Sequence, residues 1–393
     1  MHIRFGYIVL VLMIFVGCKT ETPTENAAQH YIDELQKEVA PDKRVAVFKI
    51  EAQLNAEGYI LKGETDKPNA LQRLRDSLVA NNISFTDSVT LLPTAELGDT
   101  TRAIINISVA NLRSNPKHSA ELATQATLGT PVKVLKKEGD WYYIQTPDNY
   151  LAWVDDGGIT LFTEQTIQNW ESADKVIYTK TYGHAYKGPD RKEIVSDLVA
   201  GNVLEVLKYA DKFYIVRFPD GRQAYVFREA SETYKDWLAK LNNTPEALVQ
   251  TSKRFMGVPY LWGGTSTKGM DCSGFTKTIY FLNGMIIPRD ASQQVHTGKP
   301  IDDTGNFDVL EPGDLLFFGT EATDETKEKV VHVGMWIGNN EFIHASDMVR
   351  VSSVDKEADN YDAYNVNRYL RTKRILREED MDLIDLRKVA LFK

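Results

Sequence analysis

The feature that most restricts the fold is an internal repeat. Shifted by 72 residues, "GTPVKVLKKEGDWYYIQTPDNYLAWV" (129–154) aligns without a gap on "GNVLEVLKYADKFYIVRFPDGRQAYV" (201–226), with nine of 26 positions identical. Val134 falls on Val206, Tyr142 on Tyr214, Pro147 on Pro219 and Asp148 on Asp220. Each copy alternates apolar and polar residues between short turns, which predicts short strands closing into a small barrel. Two such barrels are expected, over 102–163 and 174–230. The full 393 residues exceed one core at about 150 residues per domain, so further units flank the repeat. Helix and strand patterns place a small α+β domain at 29–98, a larger α+β unit at 244–375 and a tail at 376–393.

The N-terminus starts with Met1 to Arg4, followed by the apolar run "FGYIVLVLMIFVG". That run is shorter than the roughly 20 residues a spanning helix needs. A charged start, a short apolar core and a small residue before Cys18 resemble a bacterial lipoprotein signal, although Phe15 stands where leucine is usual. This implies a signal peptide at 1–17, lipid on Cys18 and a polar tether at 18–28. An ordinary secretion signal is the plainer alternative. Acyl chains bury about 0.8 kcal/mol per methylene, enough to hold an exported protein at a membrane of the cell envelope without a spanning helix. The formal charge of -9 disfavours polyanions, so nucleic acid is not an expected partner.

With Cys18 lipidated, Cys272 has no partner for an intramolecular disulfide, which marks it as a reactive thiol. Phe275, Thr278, Ile279 and Leu282 form one helical face behind it, and Asn283-Gly284 stops the helix. Cys272 therefore begins a helix, where the macrodipole favours a thiolate and free amides can bind developing negative charge. A thiol nucleophile needs a base, and the chain has seven histidines. His2, His30, His118 and His184 lie in the signal, N-terminal and barrel regions, and His296 follows the cysteine helix as a weaker candidate. His332 and His344 lie on two strands, "VVHVGMWIG" and "EFIHAS". A three-residue loop at Gly338-Asn339-Asn340, or a bulge, places both on one face, whereas a plain two-residue loop places them on opposite faces. On one face they complete a nucleophile, base and orienter set with Cys272. No Cys-x-x-Cys or His-x-x-x-His occurs, so neither a metal nor another cofactor is expected. Thr244-Pro245 opens a helix expected to end at Gly257, and Trp262 and Trp336 read as core aromatics.

"PYLWGG", "DCSGF", "PRDASQQ", "EPGDLLFF", "HVGMWIG" and "FIHAS", in this order, resemble the NlpC-type cell-wall cysteine peptidases. The resemblance implies a papain-like α+β catalytic domain at 244–375, with Cys272 as nucleophile, His332 as base and His344 as third polar residue. It also implies Tyr260 near the oxyanion site, with Asp271 and Ser273 as substrate contacts beside the nucleophile. The two barrels are similar to bacterial Src-homology-3-like domains. "NLRSNPKHSAELATQATLGTPVKVL" ahead of a second barrel resembles the subgroup that cuts peptidoglycan stem peptides between γ-D-glutamate and a diamino acid. In that subgroup the first barrel closes the cleft, so Glu121, Tyr150 and Asp290 would bind the free amine of L-alanine. The repeat turns Tyr150 into Arg222, which distinguishes the barrels, whereas Glu121 recurs as Glu193. Ala291 stands where serine is frequent, leaving Ser292 and Arg289 as contacts for a substrate carboxylate. The expected partners are peptidoglycan-derived peptides and a membrane reached through the lipid. A broader murein endopeptidase and a non-catalytic wall-binding lipoprotein are the rival readings.

Overall fold

The computed structural model describes residues 26–392. The expected signal peptide, Cys18 and most of the expected tether lie outside the described residues. The tether also ends earlier than expected, because Asn26 caps the helix Ala27–Val39 by accepting from the Gln29 amide. Among the described residues no helix is long and apolar enough to cross a membrane.

In the N-terminal unit that helix and a second one, Pro68–Ala80, cover a sheet of Phe48–Asn55, Gly58–Thr65 and Phe85–Leu91. Ile32, Leu61, Leu71 and Leu78 form its core. The loop between the first helix and the first strand leaves this unit and reaches the rest of the molecule. There the Leu151 amide donates to the Arg44 carbonyl at 2.7 Å, and the Gln145 side chain donates to the Val45 carbonyl.

The repeat has a three-dimensional counterpart. Trp141–Gln145 and Leu151–Asp155 recur, offset by 72 residues, as Phe213–Arg217 and Gln223–Phe227, each set within a seven-stranded sheet. Even the bulge between Val134 and Lys136 returns between Val206 and Lys208. Conserving a bulge conserves the local twist that lets a short sheet curl. The first sheet's strand Leu122–Thr127 lies along the loop that precedes Cys272. Gln125 receives the Thr265 amide through Oε1 at 3.0 Å and the Thr265 hydroxyl through its carbonyl at 2.9 Å.

The C-terminal unit sets the helix Cys272–Leu282 against a six-stranded sheet in the order 299–302, 369–374, 315–320, 329–338, 341–346, 348–353. Phe275, Ile279, Phe317, Val333 and Ile343 pack between them. The preceding helix, Pro245–Lys253, ends before Gly257, which instead takes φ +80° in a turn whose amide bonds Val349. The segment 376–393 is more than a tail. Ile384–Asp385 pairs with Met285–Ile286, and Leu386 and Phe392 are buried against Tyr234 and Trp237.

Candidate active site

Asp271 caps the cysteine helix, its Oδ1 accepting from the Gly274 amide at 2.7 Å. Cys272 is thereby fixed as the first helical residue, 7% exposed, and its thiol accepts from the amides of Ser273 and Val333. The second amide puts the sulfur beside the strand Lys329–Gly338, the strand that also carries His332.

The histidine strands meet through a two-residue turn with an added bulge. Gly338 pairs with Glu341, so Asn339 and Asn340 alone form the turn, both at positive φ (55° and 59°) as a type I′ turn requires. The pairing then slips between Trp336 and Gly338, leaving Ile337 unpaired. That extra residue restores the parity a three-residue loop would have given. His332 Nε2 consequently lies 2.7 Å from His344 Nδ1, and His344 Nε2 lies 3.0 Å from Ser352 Oγ. Ser352 escapes sequence reading because only the pairing of the next strand, with His344 opposite Arg350, brings it to this face. Its only signal is the alternation in "VRVSS".

Tautomers can be assigned from these bonds. If Ser352 accepts from His344 Nε2, then His344 Nδ1 accepts from His332 Nε2, and His332 Nδ1 keeps a lone pair for the thiol proton. Burial pushes the Cys272 thiol up to about 12, with Asp271 adding to it, and this outweighs the helix-start stabilisation expected from the sequence. Burial likewise holds His332 well below its ordinary value and brings His344 down to about 4. Thiol and imidazoles are thus held neutral at rest, the protonation from which a thiol could pass its proton to an imidazole during attack.

Behind the cysteine, Arg289 is 1% exposed, with nearly all its donors engaged. It donates to Asp271 Oδ1 and Oδ2 at 3.1 and 2.6 Å, to Ser273 Oγ at 2.9 Å and, through Nε, to Thr124 Oγ1 of the first barrel at 2.9 Å. This corrects the expectation of open contacts: Asp271, Ser273 and Arg289 form a buried brace under the helix start, and Arg289 is not free for a substrate carboxylate. Tyr260 is half-buried, and its phenol is pushed up by burial and by its neighbour Cys272, so it keeps its proton.

Of the three predicted amine contacts, two come together. The Tyr150 hydroxyl donates to Asp290 Oδ2 at 3.1 Å across the boundary between first barrel and C-terminal unit. Glu121 instead accepts from Trp262 Nε1 at 2.7 Å, and Trp262, expected in the core, is 63% exposed. Trp336 is buried as expected, at 4%. His296 is exposed, in a groove also lined by Arg44 and Ser292. Ser292 Oγ accepts from Arg44 at 3.0 Å, and Arg44 also contacts Asp290 at 2.7 Å. Among the described residues no group of three His, Cys, Asp or Glu is placed to hold a metal ion.

Residues 257–368 match the NlpC/P60 family and residues 108–160 match the bacterial SH3 domain. A gamma-D-glutamyl-L-lysine dipeptidyl-peptidase of Bacillus cereus is 35% identical over 238 residues, covering 57% of this chain and 67% of the relative. The chain belongs to the NlpC/P60 family of cysteine peptidases. Dipeptidyl-peptidase 6 of Lysinibacillus sphaericus is 28% identical, covering 65% of this chain and 92% of the relative. A crystal structure of an NlpC/P60 family protein from Bacillus cereus superposes with a TM-score of 0.60 at 28% identity, covering 70% of this chain and 99% of the other. The catalytic domain of this NlpC/P60 protein thus carries a bacterial SH3 domain against its cysteine loop.

Proposed function

We propose that the protein hydrolyses the γ-D-glutamyl to diamino-acid bond of peptidoglycan stem peptides, releasing L-Ala-γ-D-Glu from peptides with a free N-terminal L-alanine. The observation that carries this reading is the bond from Tyr150 to Asp290, a phenol and a carboxylate from two units that meet across the boundary between first barrel and C-terminal unit. Relatives named for dipeptide release support it. Cys272 Sγ attacks the γ-carbonyl while its proton passes to His332, and the helix-start amides and Tyr260 stabilise the oxyanion. His332 then protonates the leaving amine, takes a proton from water, and the hydroxide formed releases the dipeptide from sulfur. Ser352 and His344 orient His332. Cys18 would carry the lipid anchor that holds the enzyme in the envelope.

Comparing L-Ala-γ-D-Glu-diaminopimelate with its N-acetyl form tests the amine contact. Losing a charged hydrogen bond costs roughly 1.5–3 kcal/mol, so acetylation is expected to lower kcat/KM about 10- to 100-fold. Equal turnover would reject amine recognition and favour a broader murein endopeptidase.

A pH profile tests the base. His332 acts when unprotonated and its pKa is depressed by burial, so it remains active below the ordinary histidine range. The acid limb of kcat/KM is therefore expected to be centred below pH 6.5. A limb centred at or above pH 6.5 would remove His332 from that role.

A further inference from the structure

Arg44 belongs to the N-terminal unit, yet its guanidinium lies on Asp290, the carboxylate that the amine reading gives to the substrate's ammonium. NH1 donates to Asp290 Oδ2 at 2.7 Å, the same oxygen that receives the Tyr150 hydroxyl, and to Ser292 Oγ at 3.0 Å. The residue is held from behind as well. Nε and NH2 form a fork on Asp42 at 2.8 and 2.7 Å, and the Arg44 carbonyl accepts the amide of Leu151, the neighbour of Tyr150. Asp42 in turn accepts from Gln293 of the catalytic domain at 2.8 Å. A cation donating to a carboxylate and a hydroxyl is what an alkyl ammonium would supply at that position.

We propose that Arg44 is a specificity-determining residue, an intramolecular stand-in for the substrate's N-terminal ammonium through which the N-terminal unit limits recognition of the free amine. This rests on the amine reading above and deepens it. Two cations sharing one carboxylate repel each other, and the second gains less than it would from an uncompensated Asp290. The substrate must share Oδ2 with Arg44 or push it back onto Asp42. Asp42 therefore sets the balance: its negative charge draws the guanidinium away from Asp290.

The experiment measures kcat/KM for the free and N-acetylated tripeptides with wild type, Arg44→Gln and Asp42→Asn. For Arg44→Gln the ratio of free to acetylated substrate is expected to rise about ten-fold, equivalent to about 1.4 kcal/mol, through a lower KM for the free peptide. For Asp42→Asn, which leaves Asp290 as the one carboxylate bound to Arg44, the ratio is expected to fall by roughly three-fold, the scale of a partly exposed ion pair. A merely structural brace would move both variants the same way and affect both substrates alike, and that result overturns the proposal. If Arg44→Gln does not fold, Asp42→Asn decides: an unchanged or increased ratio overturns it. Equal turnover of both peptides by wild type defeats the amine reading itself. A wild-type preference that neither variant moves defeats only the role of Arg44.

Discussion

Cys272→Ala is expected to reduce hydrolysis of the tripeptide by about ten-thousand-fold or more, the scale seen when a covalent nucleophile is removed from a set that acts as a unit. The side chain is small and 7% exposed, and both amides that bond the sulfur belong to a helix start and a strand that stay in place, so the fold is expected to survive. Product release followed by chromatography, beside a circular dichroism spectrum, checks both halves. Turnover within ten-fold of wild type would exclude Cys272 as the nucleophile and reopen the reading of a wall-binding protein with a vestigial site.

Arg289→Met is expected to cost roughly 3–5 kcal/mol of stability, because it leaves the buried Asp271 carboxylate without its counter-ion while Thr124 and Ser273 lose a donor. Asp271 keeps the amides of Gly263 and Gly274, which softens the loss without cancelling a buried charge. Arg289 also favours the thiolate of Cys272, so the surviving protein should turn over more slowly. Denaturant unfolding measures the first effect. A variant within 1 kcal/mol of wild type would show that the brace under the cysteine helix is dispensable.

The legible parts of this molecule are those whose physics is local. The start of the cysteine helix could be read because Asp271 caps it and Phe275, Thr278 and Ile279 repeat on one face. Asn283-Gly284 closes it for an equally local reason, with Gly284 at φ +84°. The repeat could be read because equal spacing of turns and apolar residues forces equal strands. The histidine pair was half legible: its parity followed from the need to share one face, but the choice of a bulge at Ile337 over a longer loop lay in the left-handed preference of two consecutive asparagines. Arg289 misled because a charged residue beside a site motif reads as a ligand contact. Its burial, and Thr124 from 165 residues away, turn it into a brace.

By itself the sequence determined the parts on which the proposed reaction rests and their order along the chain: a thiol at a helix start, two histidines on paired strands, and two barrels ahead of them. Period and capping operate over a few residues, so they survive in one dimension. Only the tertiary structure decided which groups meet at Asp290. Tyr150 meets Asp290 from 140 residues away and Arg44 meets it from 246. Glu121 turns instead to an exposed Trp262. Such contacts depend on how separately folded units dock, and docking is set by whole surfaces whose pairing leaves no periodic trace in the chain.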